Sequence, residues 1–259
     1  NGIKNIIFDV HGEYQFVDEQ IIEVVEFEEL DVVDSMIEFM KSDEYALLQK
    51  TIYANVEDEL REYIEKRQIK NLIDINLIMD GLGTTQVDKK NKYILSEFQN
   101  EWYPKYVFSQ FDLESFLRGN KKILLLNLKN LQIDLQRWIV ADVAHNIYEL
   151  YKQKETELVE IGGGKEPKAR AALILEEAHI FVPETGEYDL GFNKEIKNKC
   201  YNYLVNIALR GRKYGLGLYV ISQRSAFVKK GILSQCNTIF ALKTINDNDK
   251  KVFYDFMNK

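Results

Sequence analysis

The sequence predicts an α/β protein: a doubly wound, mostly parallel sheet flanked by helices and interrupted by one helical insertion. Three observations carry this. Short apolar runs bounded by polar turns recur along the chain. These runs are continuous rather than alternating, as expected of strands covered on both faces. Helical patterns lie between them, so strand and helix alternate with the right-handed crossovers of such a core.

Asn5–Val10 (NIIFDV) reads as the first strand, within a core segment of residues 1–27. Residues 28–110 have a different texture. Leu30, Val33, Ile37 and Met40 form one apolar stripe, and Ile52, Val56, Leu60 and Ile64 repeat every fourth residue with charges between them. This stretch reads as a helical insertion, with a turn at Gly81–Thr84. The core resumes over residues 111–259, where Lys122–Leu128 (KILLLNL) is the next strand. Leu135, Trp138, Ile139, Val143, Ile147 and Leu150 then recur at spacings of three and four, one face of a helix. Ile161–Lys168 (IGGGKEPK) reads as an exposed polar loop. Ala172–Leu175 (ALIL) is a strand and Tyr201–Leu209 a helix stopped near Gly211. Leu216–Ser222 (LGLYVIS) and Thr238–Leu242 (TIFAL) read as the last two strands.

At 259 residues the chain fits one large domain or one core with an insertion. Hydrophobic residues at 46% and charged residues at 29% are those of an ordinary soluble globular protein. No apolar run approaches the roughly 20 residues that span a bilayer, and no signal-peptide pattern opens the chain. A membrane role is therefore not expected. The chain starts at Asn1 without a Met and runs straight into an apolar strand, as a piece of something longer would. With 34 basic and 41 acidic residues the net charge is −7, so any contact with nucleic acid must come from a local basic surface. Cys200 and Cys236 lack CxxC spacing and indicate neither a disulfide framework nor a zinc site. Buried thiols in a reducing cytoplasm are expected.

Three strand ends carry residues that could do chemistry together, because ligands of parallel α/β sheets bind beyond the carboxyl ends of the strands. The most informative is Ala172–Leu175 followed at once by Glu176-Glu177-Ala178-His179. Four apolar residues leading into two carboxylates is a Walker B arrangement, in which the first holds Mg²⁺ and the second orients an attacking water. Glu176 stands where Asp is commoner, one methylene further out. The same residues also suit an ordinary charged turn after a strand. Asp9-Val10-His11-Gly12-Glu13-Tyr14 follows the first strand and suits a metal site, a nucleotide-edge site or simply a turn at Gly12. Asp9, His11 and Glu13 are its candidate cofactor-binding residues. The third end runs from Gly211 to Arg224. Gln223 could sense a γ-phosphate or position water. Arg212, at the opposite end of that strand, could reach only a neighbour's nucleotide, as an arginine finger in trans. With Arg210 and Lys213 it also fits a solvated helix terminus. Arg224, Lys229 and Lys230 are candidate DNA contacts, or equally a solvated loop of charges.

FDVHGEY (Phe8–Tyr14), LILEEAHIFVP (Leu173–Pro183) and GRKYGLGLYVISQR with LSQCNT (Gly211–Arg224, Leu233–Thr238) together resemble the HerA family of the HerA/FtsK P-loop ATPases. Order and spacing match, as does the helical insertion, and the resemblance covers most of the chain outside that insertion. It implies a RecA-like core of a hexameric, ATP-driven double-stranded-DNA translocase or helicase. Such proteins in archaea commonly pair with a NurA-type nuclease in DNA-end processing and repair. The resemblance further implies ATP and Mg²⁺ as cofactors, Glu176 at the metal-holding position and Glu177 as the catalytic glutamate. Gln223 takes the sensor position and Arg212 the trans finger.

The sequence departs from that family in one respect. G-x-x-x-x-G-K-[ST] occurs nowhere. Gly162-Gly163-Gly164-Lys165 is no substitute, with Glu166 where Ser or Thr must bind Mg²⁺ and Val159 where the first Gly belongs. The phosphate loop is expected before Asn1, and this chain is expected not to turn over nucleotide alone. Three other readings compete: a type IV secretion or conjugation motor, a non-hydrolytic ring subunit offering Arg212, and a metal-dependent hydrolase built from Asp9, His11, Glu177 and His179.

Overall fold

In a computed structural model, which describes residues 3–15, 18, 20–27, 31–52, 72–108, 111–153, 158–161, 164–167, 170–184 and 193–257, the first apolar run becomes β1 (Lys4–Asp9). β2 (Ile22–Glu26) and β3 (Ile123–Asn127) follow, then a hairpin of β4 (Leu158–Ile161) and β5 (Gly164–Pro167), then β6 (Ala171–Leu175) and β7 (Leu216–Val220). Five of these form one sheet in the order β2-β3-β1-β6-β7, with every neighbouring pair parallel. The α/β fold is thus the predicted one. Ile6, Phe8, Leu124, Leu126, Leu173 and Leu175 have no exposed surface, which explains why these runs are continuously apolar. All five strands point the same way, so Asp9, Asn127, Glu176 and Ser222 leave the sheet at one edge.

Three local expectations are corrected. β2 was not among the predicted strands: its Glu23 and Glu26 break up the apolar run, and as an edge strand it leaves Val24 49% exposed. Thr238–Leu242 is not a strand, and its Phe240 and Leu242 are each 87% exposed. A strand needs a hydrogen-bonded partner, and among the described residues this segment pairs with none. Ile161–Lys168, expected as a loop, contributes to both arms of the antiparallel β4–β5 ladder. Gly164-Lys165 therefore lies in a hairpin rather than between a strand and a helix, where a phosphate loop would sit.

The chain divides into two compact units, residues 1–27 with 111–259, and residues 28–110. The second holds α1 (Val32–Lys41), α2 (Asp43–Ile52), α3 (Leu72–Gly81), α4 (Gln86–Glu97), a π-helical turn (Phe98–Trp102) and α5 (Tyr103–Phe108). Asp31 caps α1 by accepting from the Asp34 N–H at 2.9 Å, and Thr85 and Asp88 cap α4 reciprocally. The buried face of α1 is Val32, Ser35, Met36, Phe39 and Met40, shifted from the expected Val33–Ile37 stripe. Phe39 sets it, with its ring 5.4 Å from Tyr45 and 5.6 Å from both Phe98 and Trp102. Leu30, Val56, Leu60 and Ile64 lie outside the described residues.

In the first unit, α6 (Leu113–Arg118) ends on carbonyls that the buried Lys4 satisfies: Nζ donates to Phe116 O at 2.9 Å and Gly119 O at 2.7 Å. α7 (Ile133–Gln153) buries Leu135, Trp138, Ile139, Val143 and Ile147 as expected, and packs along α8 (Lys194–Arg210). The facing stripe of α8 is Ile196, Cys200, Leu204 and Ile207. Burial pushes the Cys200 thiol up to about 12, so it stays protonated and unreactive. α9 (Lys230–Leu233) and α10 (Asp247–Met257) close the described chain.

Candidate active site

The loop after β1 is organised by one side chain. Asp9, fully buried, accepts at Oδ1 from the backbone N–H of His11 (3.1 Å), Gly12 (2.7 Å) and Glu13 (3.4 Å), and at Oδ2 from that of Tyr14 (3.2 Å). Gly12 has φ +66°, a backbone conformation that favours glycine, and a Cβ there would displace the Lys129 side chain. His11 and Glu13 are held exposed on the rim. Tyr14 reaches across to β6, where its hydroxyl donates to Glu176 Oε1 at 3.3 Å.

After β6 the chain turns sharply. Glu177 has φ +44°, a left-handed conformation that no other described non-glycine residue adopts. The turn is fastened on two sides. The Ala178 N–H donates to Ile221 O at 2.9 Å, tying it to the end of β7. From α7, Arg137, 1% exposed, donates through Nε to Ile180 O at 2.8 Å. Its guanidinium lies 3.6 Å from Asp134 Oδ1, and Asp134 Oδ2 accepts the N–H of Asn193, the cap of α8, at 3.0 Å. One buried ion pair therefore links the turn to both core helices.

The two carboxylates of this turn are poorly supplied with donors. Glu176 Oε2 is buried without one. Burial, and then the charge of Asp9, raises the Glu176 pKa above the usual carboxylate value. Glu177 is only 8% exposed, and its Oε2 lies 3.1 Å from His179 Nδ1. That same nitrogen is 3.3 Å from Ser222 Oγ at the end of β7, and Ser222 Oγ accepts the Arg224 N–H at 3.1 Å. Burial lowers the His179 pKa, with Glu177 opposing it, so the imidazole is neutral at pH 7.

Of the residues singled out in the sequence, Glu176 and Glu177 stand together at the carboxyl edge, with Asp9 and Tyr14 next to them. Gln223 is exposed beyond β7, and its neighbour Ser222 is the residue that reaches the turn. Arg212 is exposed on the 3₁₀ turn (Gly211–Tyr214) that enters β7. A strand of five residues separates it from the carboxylates, about 16 Å. Arg224 lies over the Phe227 ring at 5.7 Å, and the Lys229 ammonium over Tyr201 at 3.9 Å. Lys230 is exposed, its backbone N–H donating to Glu184 Oε2. The metal-hydrolase reading does not survive: among the described residues no three His, Cys, Asp or Glu side chains gather to hold an ion. Asp9 is committed to its loop, and His11 is exposed. Tyr14 lay inside a quoted motif without being singled out. Ser222 likewise lay inside the Gly211–Arg224 motif, and for Arg137 only its spacing of three from Asp134 gave a signal.

Glu176 Oε2, buried without a donor, is the feature that fits a divalent cation. Mg²⁺ typically takes one or two protein carboxylates, with water and phosphate oxygens completing its shell. Two adjacent glutamates fit that pattern, with Glu176 as the holding group.

No family model matches the chain. Individual relatives do. The chain is 30% identical over 229 residues to a probable helicase of Methanocaldococcus jannaschii, covering 84% of this chain and 38% of that protein. It is 28% identical over 271 residues to the DNA double-strand break repair helicase HerA of Saccharolobus solfataricus, covering 96% of this chain and 50% of the relative. HerA of Pyrococcus furiosus is 37% identical over 107 residues, 39% of this chain and 18% of that protein. The chain thus spans half or less of the length of these relatives. Among the described residues no helix is long and apolar enough to cross a membrane. Three ordered motifs at the strand ends of a parallel sheet, with relatives that match across nearly the whole chain, lead to one conclusion: this chain is a relative of the HerA helicases.

Proposed function

We propose that the chain is part of the ATP-hydrolysing core of a hexameric double-stranded-DNA translocase acting in DNA-end processing and repair with a NurA-type nuclease. The observation that carries this reading is the pair of carboxylates beyond β6, held at a strained turn, with one Glu176 oxygen buried without a protein donor. Glu177 orients the attacking water and takes up its proton, while Glu176 holds Mg²⁺ through water. Bound Mg²⁺ supplies the positive charge that neutralises the phosphate oxygens. The loop shaped by Asp9 offers His11 and Glu13 to the nucleotide, and Gln223 acts as the sensor. Arg212, too far from its own carboxylates, serves the nucleotide of the adjacent subunit. Arg224, Lys229 and Lys230 face the duplex. Relatives named as DNA double-strand break repair helicases support the substrate class.

The sequence lacks G-x-x-x-x-G-K-[ST], so the phosphate grip has to come from further sequence. A parallel strand paired on the outer edge of β7 would end beside Ser222 and the Glu177 turn, where a loop following it could hold phosphates. The test is ATP hydrolysis by the parent polypeptide, with and without duplex DNA. Stimulation by duplex and loss of hydrolysis on Glu177→Gln are expected; hydrolysis that survives this substitution overturns the reading. The missing motif and the exposure of Arg212 favour one second reading, a non-hydrolytic ring subunit. It predicts no ATP binding by this subunit, but stimulation of a P-loop partner that Arg212→Ala removes.

A further inference from the structure

We propose that His179 is a positioning residue that locks the Glu177 carboxylate to the end of β7 through a forked hydrogen bond from Nδ1–H to Glu177 Oε2 and Ser222 Oγ. The inference rests on the hydrolytic reading above, and none of the three motif roles assigned from the sequence uses this histidine.

The geometry leaves little choice of tautomer. Nδ1 lies 3.1 Å from a carboxylate oxygen and 3.3 Å from a hydroxyl. A lone pair facing a carboxylate would be repelled, so the proton of the neutral ring sits on Nδ1. Ser222 Oγ already accepts the Arg224 N–H, which leaves it a second lone pair for the imidazole. The fork closes a circuit. Ala178 N–H to Ile221 O joins the turn to β7 through backbone, and His179 joins the same two segments through side chains. Glu177 has left-handed backbone, so nothing local fixes the direction of its side chain. His179 supplies that fixing. The partner segment is the one that carries Gln223 and Arg224, so displacement at the sensor end of β7 moves Ser222, relaxes the fork and redirects Glu177.

Two measurements test this. In the chain itself, ¹⁵N spectra of the three histidines should give His179 with a protonated Nδ1 that loses its downfield proton in Ser222→Ala and Glu177→Ala. The Nε2–H tautomer would overturn the proposal. In the parent polypeptide, His179→Ala should lower kcat roughly 10- to 100-fold with KM for ATP little changed, since a misplaced group costs rate rather than binding. His179→Asn, whose amide places a donor near the Nδ1 position, should recover most of that loss, whereas His179→Leu should not. Equal rates for Asn and Leu variants, or a change confined to KM, overturns the positioning role. Glu177→Gln separates the two levels: if it leaves hydrolysis intact the hydrolytic reading falls and takes this inference with it. If it abolishes hydrolysis while His179→Ala does nothing, only this inference falls.

Discussion

Two neighbouring strand ends, aligned in the sheet register, carry carboxylates of opposite character. Asp9, leaving β1, has both oxygens occupied by four backbone N–H groups and no exposed surface. Glu176 and Glu177, leaving the adjacent β6, share a tyrosine hydroxyl and one imidazole nitrogen, and Glu176 Oε2 has no donor. The two sites differ in what they are built to do. A carboxylate that accepts four N–H groups is committed to shaping the chain, whereas a buried oxygen without donors persists most readily if something else meets it. Asp9 therefore builds the loop, whereas Glu176 keeps an oxygen that a ligand could meet.

The contrast can be broken from either side. The largest effect falls on Glu177: exchange for Gln should cost the parent polypeptide on the order of 100- to 1000-fold in hydrolysis rate, measured at saturating ATP, while leaving thermal stability within a degree or two. Asp9→Ala should do the reverse at the level of the fold. Four N–H groups lose their acceptor, costing about 2–4 kcal/mol, read as a lower denaturation midpoint in urea.

A smaller effect sharpens the comparison through pH. The folded-state pKa of Glu176 lies above its ordinary value of 4.5, so between those values the folded chain keeps a proton that the unfolded chain has released. The carboxyl therefore favours the fold below about 4.5 and loses that advantage as pH rises through the folded pKa. Glu176→Gln should raise Tm by about 1–3 °C at pH 7.5 and leave it unchanged at pH 4. A Tm difference independent of pH would show that the glutamate is not strained by its surroundings. The smallest effect concerns the basic residues. Lys229→Ala with Lys230→Ala should lower DNA-stimulated hydrolysis and flatten its salt dependence, with hydrolysis in the absence of DNA unaltered. Because Lys229 sits on Tyr201, most of this change should come from the exposed Lys230.

Much of the sheet was legible because burial on both faces forces continuous apolar runs, and β1, β3, β6 and β7 each carry one. The failures lie at the margins of that rule. β2 is half-exposed and punctuated by glutamates, whereas Thr238–Leu242 has the right composition but pairs with no described strand. Within α1 the 3.6-residue period was readable but the phase was not, since Phe39 chooses its own face by the aromatic rings it meets. At the site, Glu176 and Glu177 stand out because two charges directly after a buried run are costly unless used. Ser222 and Arg137 gave no such signal. A serine at a strand end and an arginine in a helix are ordinary in sequence, and their partners lie 43 residues away in both cases.

By itself the sequence determined the fold class, the resemblance to HerA and the strand ends at which the motifs gather, because periodicity and strand-end motifs are local properties of the chain. Only the tertiary structure decided which carboxylates are free. Asp9 and Glu176 are the same kind of group after the same kind of strand, and what separates them is the count of donors that the surrounding fold brings within reach. Hydrogen-bond satisfaction depends on residues distant in sequence, so no local pattern could have distinguished them.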